Sequence, residues 1–469
     1  GLRMSAVAVG ALALAVAACG GGGSKPSAKV ESVGKITGAA ASEVAPWAAS
    51  GKIPKTTISV CFFSGPEFEA MKKRGPQFTT YTKGAVTVKF VEIPVAQWLP
   101  QTLTQLRSGS SNCDIVDDSS SGATTFEPYL DPIEPYMKDA ALYNAKAYNL
   151  PDFPKAVLDQ VTSKDKGLMA LPMASDTQLL FYRKDLLKKW GIAPPPDTGW
   201  TWDQYYDVLR KVNAGIAKDG MTGVSGTTFS GTRNTDGGIS ALMGIWSAGG
   251  DPFAGGKPNF QDPKVIKGLK DFAGLKTDLK AVSPGIGGYA YAEVLTALQK
   301  GKAVTAMQWN ASSPPLEDPK QSPITAGKMG YTVTPYDASA GPTQQRAYPS
   351  IHAFGINKSS KHKREAFEYA VWYTSQKTAM DFVSAGEGSS GRSSVLNDPS
   401  IVSNQPQMKA LGASLALMHP LPDVPSSADL ISNVVGADFN SVLTGSKTTD
   451  QAAKDMQSGS EALLKKAGR

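Results

Sequence analysis

Apolar and polar positions in the first part of the chain follow two alternating patterns. Residues 58–63, 86–91 and 113–118 are apolar runs of strand length. The segment after Pro66 and residues 95–108 instead repeat large apolar side chains at helical spacing. The resulting order β-α-β-α-β predicts a mostly parallel sheet with right-handed crossovers and flanking helices.

A segment near the middle of the chain joins two strand-length runs through a polar step. Residues 167–174 form an apolar run. The short polar residues Ser175, Asp176 and Thr177 interrupt it, and the β-rich run that follows becomes helical at Lys184. This pattern favours a chain that leaves one sheet and enters another. We therefore expect the polar step to lie between two domains.

The rest of the chain continues to alternate between helices and strands. Predicted helices cover residues 203–220, 236–248, 263–278, 289–300, 359–373, 430–445 and 448–466. Predicted strands cover residues 301–310, 330–335 and 350–357, the last with the alternation expected of a return crossing. The length of 469 residues also requires at least two domains.

Several short motifs resemble the family 1 extracellular solute-binding proteins, the carbohydrate-type receptors of ABC importers. Residues 167–172 end in Leu-Pro and lead into Tyr-Arg-Lys-Asp-Leu at 182–186. A Gly-Lys-Ala sequence at 301–303 precedes Trp309, and Arg392 lies in a loop similar to the family's Pro-x-Arg-x-Ser. The resemblance covers essentially everything from residue 58 to residue 466.

The resemblance implies an α/β fold with two lobes, each a mostly parallel sheet flanked by helices, joined by a hinge. Residues 55–177 with 349–384 would form the N-terminal lobe, and residues 178–348 with 385–469 the C-terminal lobe. Such a receptor is a monomer without a cofactor. It captures a sugar or oligosaccharide between its lobes and delivers the solute to a membrane permease.

The N-terminus predicts export. Arg3 precedes an apolar run that ends before Cys19, and this run is too short to span a bilayer stably. Cysteine after small residues resembles a bacterial lipobox, which implies a signal peptide over residues 1–18 and a lipid on Cys19. Residues 19–54 would then be a flexible tether on the outer face of the cytoplasmic membrane. The alternatives are an ordinary signal peptide with a chance cysteine, or an uncleaved anchor.

Charge and cysteine content narrow the possible partners. The formal net charge of +7 is spread thinly, apart from a cluster of basic residues at 358–364. For an exported protein, this cluster is better explained as the solvated start of a helix than as a nucleic-acid site. Cys61 and Cys113 lie at apolar strand positions and are either a disulfide or two buried thiols. The three histidines are far apart in sequence, so a zinc site is not expected.

Candidate ligand contacts follow from the chemistry of a sugar, which has flat CH faces and a rim of hydroxyls. Trp246 and Trp309 lie at element ends, where they would line a cleft, and plain core packing is the alternative. Their neighbours Gly250, Asp251 and Asn310 would lie in the same wall.

Acidic residues would bind the hydroxyl rim. Asp176 at the crossing is the first candidate, with a turn cap as its alternative role. Glu67 and Asp118 follow strand ends, and Ser350 opens the return crossing. If Arg392 points into the cleft, it would pair with a carboxylate or phosphate of the ligand. The ligand would then be a sugar phosphate or a uronate. His352 is more typical of a core or loop position than of a ligand contact.

Catalytic motifs fail their structural context. The Gly-rich sequence at residues 386–391 follows a helical segment and does not open a helix, so it is not a dinucleotide site. Asp117 and Asp118 are adjacent on a strand and point to opposite faces, so they cannot flank one glycosidic bond. We therefore expect no catalytic residues. The alternatives are a receptor for a phosphorylated polyol or a peptide and, less favoured, an exported carbohydrate-active enzyme.

Overall fold

The computed structural model describes residues 30, 32–119, 123–421, 424 and 427–466. The predicted signal peptide and Cys19 lie outside these residues. The described residues from 32 to 466 belong to one compact unit. The strands are β1 Thr56–Phe63, β2 Val86–Ile93, β3 Ile115–Asp117, β4 Leu130–Asp131, β5 Thr162–Ser163, β6 Gly167–Leu168, β7 Ala170–Asp176, β8 Gln178–Arg183, β9 Ser225–Thr228, β10 Ala303–Trp309, β11 Met329–Thr332 and β12 Ser350–Asn357.

Helices surround these strands. They are α1 Pro46–Ser50, α2 Pro66–Tyr81, α3 Val95–Arg107, α4 Ala123–Phe126, α5 Glu134–Met137, α6 Ala145–Tyr148, α7 Lys155–Asp159, α8 Lys184–Lys189, α9 Trp202–Lys218, α10 Thr235–Ser247, α11 Pro263–Thr277, α12 Tyr291–Gln299, α13 Ser313–Glu317, α14 Lys363–Tyr373, α15 Gln376–Ser384, α16 Ser393–Leu396, α17 Pro399–Asn404, α18 Gln407–Leu415, α19 Ser427–Asp429, α20 Ala437–Leu443 and α21 Thr449–Lys466. A π-helical stretch, Leu430–Gly436, joins α19 to α20. No helix in the described ranges is apolar over a length sufficient to cross a bilayer.

The first sheet has the strand order β2-β1-β3-β12-β4, and β7 also pairs with β12. Strand β1 runs parallel to β2 and β3, as the β-α-β-α-β pattern predicts. Strand β12 arrives from much later in the chain and runs antiparallel to β3, β4 and β7. The sheet is therefore mixed, because β12, which enters it at the return crossing, runs opposite to its other strands.

The second sheet has the order β11-β8-β10-β9. Strands β9 and β10 are parallel, whereas β8 runs antiparallel to both β10 and β11. A single residue, Thr177, separates the end of β7 in the first sheet from the start of β8 in the second. The two-lobed α/β fold is confirmed, and both of its sheets are mixed.

Residues 45–50 are folded, although the sequence predicted that they belong to a flexible tether. Here α1 packs its Trp47 against the first lobe, with a side chain that is only 6% exposed. The Ala48 amide donates a 2.8 Å hydrogen bond to the buried Glu368 carboxylate of α14, and the Arg364 guanidinium lies 5.5 Å from the centre of the Trp47 ring. This segment is thus anchored to the fold, because an aromatic ring and a helical turn can be buried together against α14.

The two buried cysteines form a disulfide. The bond joins Cys61 in β1 to Cys113, two residues before β3, across Cα atoms 5.6 Å apart. Of the two alternatives left open by the sequence, the covalent one is present. It links adjacent parallel strands on the first sheet.

Candidate ligand-binding site

The ends of β1 and β3 bring acidic side chains to one edge of the first sheet. Glu67 lies in the first turn of α2, which follows β1, and Asp117 is the last residue of β3. On the adjacent strand β12, the His352 Nδ1 lies 3.5 Å from the Asp117 Oδ2, and the imidazole centre is 4.8 Å from the ring centre of Phe63. Because parallel strands end at a common edge, residues distant in sequence meet here.

The Asp117–His352 pair stabilises a charged imidazole. Burial disfavours the imidazolium, but the neighbouring Asp117 carboxylate outweighs this effect and raises the pKa of His352. Burial also raises the pKa of the Asp117 carboxyl, against the opposing charge of His352. His352 stays partly exposed, so its ring can contact a solute.

Asp176 is the last residue of β7 and pairs with Ser350 at the start of β12. Its Oδ1 accepts a 2.8 Å hydrogen bond from the Thr177 amide, and its carboxylate also accepts one from the Ala311 amide of the second lobe. Burial, followed by the proximity of the Glu67 charge, raises the pKa of Asp176 to about 7. The Asp176 side chain therefore lies where the lobes meet.

The second lobe contributes the loop after β10 and the start of α12. The Asn310 amide donates a 3.0 Å hydrogen bond to the Thr177 carbonyl oxygen, which fixes this loop against the crossing. The Tyr291 amide lies 3.4 Å from the Asp236 carboxylate, at the start of α12. Burial, with the charges of Asp176 and Glu67, raises the pKa of Tyr291. Groups from both lobes thus lie close enough to act on each other.

Aromatic rings form a stack behind the second-lobe loop. Trp309 is partly exposed and meets Tyr348 edge to face, with ring centres 5.7 Å apart. Trp246 stacks on Tyr348 at 6.0 Å and on His419 at 4.6 Å. Trp246 is 1% exposed and belongs to the hydrophobic core, whereas Trp309, next to the crossing, is partly exposed and can contact a solute.

Buried polar atoms without a hydrogen-bond partner in the protein collect at the same place. They include both amide atoms of Gln178, the hydroxyls of Ser175 and Thr177, and the Oδ1 of Asn310. Buried polar groups in folded proteins are almost always hydrogen-bonded. A polar solute or water between the lobes would satisfy these atoms. We define the interlobe site as Glu67, Asp176, Tyr291, Trp309, Asn310 and His352.

Comparison with known proteins identifies the family. A sequence profile of the bacterial extracellular solute-binding proteins matches residues 64–380. The chain belongs to this family. A relative from Sinorhizobium fredii, named "Probable amino-acid ABC transporter periplasmic-binding protein y4oP", is 25% identical over 428 residues, which is 90% of this chain and 93% of the relative.

Two solved structures have a similar fold. The maltose-bound MalE3 of T. maritima has a TM-score of 0.72 and 23% sequence identity, with 87% of this chain and 100% of that chain covered. A solute-binding protein of an ABC transporter from Agrobacterium vitis, with bound D-mannitol, has a TM-score of 0.70 and 23% identity, with 88% and 99% covered.

In this solute-binding protein, five residues singled out from the sequence come together at the lobe junction. Asp176 and Ser350 are paired in the first sheet, Trp309 and Asn310 follow each other in the second, and the Glu67 charge acts on Asp176. A contact between any of them and a ligand stays a prediction.

Arg392 lies away from the junction, in the core. Its Nε donates to the Thr374 carbonyl oxygen at 2.7 Å and its Nη1 lies 3.2 Å from the Asp152 carboxylate. The guanidinium also stacks over Tyr148 and Phe153, 4.6 and 4.2 Å from their ring centres. The Nη2 has no partner within the protein, but the side chain is 0% exposed, so the structure gives no support for its pairing with an anionic ligand.

Three other residues of the predicted site have local roles. Burial, and then the Asp117 charge, raises the pKa of Asp118 well above its usual range, and the side chain is enclosed beside Gly355. Gly250 packs its backbone against Val265, where a Cβ would clash. Asp251 is exposed and accepts a 2.9 Å hydrogen bond from the Phe253 amide in a turn.

The sequence reading missed His352 and Tyr291. A signal for His352 was present, because it lies two residues after Ser350 on a strand and so shares its face. No local signal distinguishes Tyr291 from other helix-start tyrosines. Its role depends on how α12 packs on the second sheet, where the Gln308 side-chain amide donates a 2.9 Å hydrogen bond to the Tyr291 carbonyl oxygen.

Proposed function

We propose that this solute-binding protein captures a sugar or polyol at the interlobe site and delivers it to the permease of an ABC importer. The meeting of Asp176, Trp309 and unpartnered polar atoms at the lobe crossing carries this proposal. Carboxylate and amide groups bind hydroxyls, and an indole covers the CH face of a sugar ring. The sugar- and polyol-bound relatives in the same fold are consistent with this class of ligand.

Closure of the lobes would report ligand binding to the permease. A solute that contacts Asp176 and Trp309 together gains more free energy when the lobes are closed, so it shifts the population toward that state. The single-residue crossing at Thr177 and the return crossing before β12 would act as the hinge. The lobes would comprise residues 55–177 with 349–384, and residues 178–348 with 385–469.

The protein would act outside the cytoplasm as a monomer without catalysis. Cleavage before Cys19 and lipid attachment to its sulfur would hold it on the outer face of the cytoplasmic membrane. Ala41 and Val44 already accept hydrogen bonds from Asn144, so a tether would consist of the residues between Cys19 and the helical turn Gly38–Ser42.

A thermal-shift screen over sugars, polyols, sugar phosphates and peptides tests the ligand class. We expect a sugar or polyol to raise the melting temperature, because a ligand that binds only the native state stabilises it. The radius of gyration in small-angle scattering should fall with that ligand, and no hydrolysis product should accumulate. A tight ligand that leaves the radius of gyration unchanged would exclude the closure mechanism.

Replacing Trp309 tests the site itself. The Trp309→Ala variant should lose about 2 kcal/mol of binding free energy, or about 30-fold in affinity, in isothermal titration calorimetry. Trp190→Ala is the matched control, since Trp190 is also partly exposed but bonds Asp219 at 2.8 Å in another part of the second lobe. Equal losses in the two variants would argue against the interlobe site.

A further inference from the structure

The interlobe site brings three carboxylates, those of Glu67, Asp117 and Asp176, around one imidazole, since the Asp117 Oδ2 lies 3.5 Å from the His352 Nδ1 and Asp176 pairs with Ser350 on the strand of His352. Glu67 and Asp117 both act on the pKa of His352, as does Asp176. The charged groups with the largest effects on Asp117 and Asp176 are Glu67 and His352. Within the described part of the chain, no lysine or arginine is among these groups, and the three residues that follow Ser119 carry no ionisable side chain.

Two buried arginines of the fold have other partners. Arg392 is bonded to Asp152 and to two backbone carbonyl oxygens in the core. Arg74, which lies on the same helix as Glu67, is paired with Glu387. Neither guanidinium is therefore available to balance the carboxylates at the lobe junction.

Buried hydrogen-bonding groups without a partner in the protein also lie at the junction. Asn310 is 4% exposed and its Oδ1 has no partner within the protein, while the next residue, Ala311, donates its amide to Asp176. Gln178 is 2% exposed, its amide atoms are unpartnered, and it pairs with Trp309 across β8 and β10, so both side chains lie on one face. The junction thus has buried amide groups with open hydrogen-bonding capacity, and the Asn310 Oδ1 and the Gln178 Oε1 among them can accept from the N–H groups of a ligand.

We propose that the interlobe site selects a carbohydrate with an ammonium group, an amino sugar or amino-polyol, over neutral and anionic relatives. This inference rests on the proposed function and specifies the charge of its ligand. The ammonium group would lie between Glu67 and Asp176, with the carbon skeleton against Trp309. A sugar phosphate, a uronate or a free amino acid would bring its anion toward unpaired carboxylates, which costs free energy in a partly buried site.

The test is a panel of matched ligands measured by thermal shift and then by isothermal titration calorimetry. For glucose, mannose and mannitol, the panel contains the neutral compound, the primary amine, the N-acetylated amine and the carboxylate. We expect the amine to bind about tenfold tighter than its neutral parent in the series that binds, since one ion pair in such a site is of that order. The N-acetylated form should lose this gain and the carboxylate should bind weakest.

The outcomes separate the two proposals. If a neutral or anionic member binds best, the charge preference is wrong and the proposed function stands. If no member of any series stabilises the protein, both are overturned. A cation preference in which neutral parents also bind supports both.

A variant and its control test whether Glu67 causes the preference for the amine. In Glu67→Gln the advantage of the amine over its neutral parent should fall about tenfold. Glu69→Gln is the control, because Glu69 lies exposed on the same helix and pairs with Lys72 at 3.0 Å, so it should leave the ratio unchanged. An unchanged ratio in Glu67→Gln would overturn the assignment.

The affinity for the amine should also depend on pH. Asp176, whose pKa burial raises to about 7, loses its proton between pH 6 and 8 and so makes the site more negative, with His352, Asp117 and Glu67 as the other ionisable groups that face it. Binding of the amino-polyol, whose ammonium keeps its charge through this range, should strengthen several-fold, whereas the neutral parent should change little. Amino-polyol binding that weakens toward pH 8 would contradict the proposal.

Discussion

The two walls of the interlobe site carry different kinds of side chain. The first lobe presents ionisable groups, Glu67, Asp117 and His352, at strand ends on a sheet joined by a disulfide. The second lobe presents Trp309, which continues through Tyr348 into its aromatic core. One wall provides charge and hydrogen-bond acceptors, and the other provides apolar area.

This difference teaches how binding and stability are connected in each lobe. Burying carboxylates costs folding free energy, as the raised pKa values of Asp117 and Asp176 indicate. Burying aromatic rings contributes folding free energy. Changes to the first wall should therefore trade binding for stability, whereas changes deep in the second wall should reduce stability first.

Trp246→Ala should give the largest effect on stability. The side chain is enclosed between Tyr348 and His419, and removing it should cost about 3–5 kcal/mol of unfolding free energy in urea titrations. Trp309→Ala should cost about 1 kcal/mol or less, because that ring is partly exposed. If Trp309→Ala lost more stability than Trp246→Ala, Trp246 could not be the core residue and Trp309 the wall residue of this stack.

Removing the disulfide should give the next largest effect, confined to the first lobe. Replacing both Cys61 and Cys113 by alanine should lower the unfolding free energy by about 2–4 kcal/mol, since the bond restricts the unfolded chain. The binding free energy of a ligand should change little, because neither cysteine lies in the interlobe site. Loss of binding in a folded double variant would show that this bond positions the charged wall.

Asp176→Asn should give the smallest change and the opposite sign. Folding raises the pKa of this carboxyl from 3.8 to about 7, so the native state holds a proton that the unfolded chain has released between those values. Stability contributed by this group therefore falls as pH rises through that window. The variant, which cannot titrate, should be more stable than the parent by about 1–2 kcal/mol at pH 8, after allowance for its partial exposure, and equal to it near pH 4.

Urea titrations at pH 4.5 and 8 measure this difference, with Glu69→Gln as the exposed control. Ligand affinity should fall in Asp176→Asn even where stability rises. A variant less stable than the parent at pH 8 would show that the Asp176 carboxylate stabilises the fold, and the contrast between the walls would not hold.

Periodicity alone determined most of the architecture. The predicted strand at 350–357 coincides with β12, and the predicted helix at 95–108 differs from α3 by one residue. These elements are predictable because the spacing of apolar side chains reflects which face of each element is buried. The predicted polar step at Ser175 to Thr177 contains the single residue between β7 and β8, whereas its first two residues still belong to β7.

Only the tertiary structure decided which candidate side chains meet. Trp246 and Trp309 look alike in sequence, each at an element end beside small or polar residues, yet one is enclosed and the other partly open. Arg392, a candidate ligand contact in the sequence, lies in the core, because Asp152 and two aromatic rings enclose its guanidinium. His352, expected in a core or loop position, lies at the junction beside Asp117. Local sequence encodes the burial of a face, but the partners of a charged or aromatic group come from segments hundreds of residues apart, and packing alone brings those together.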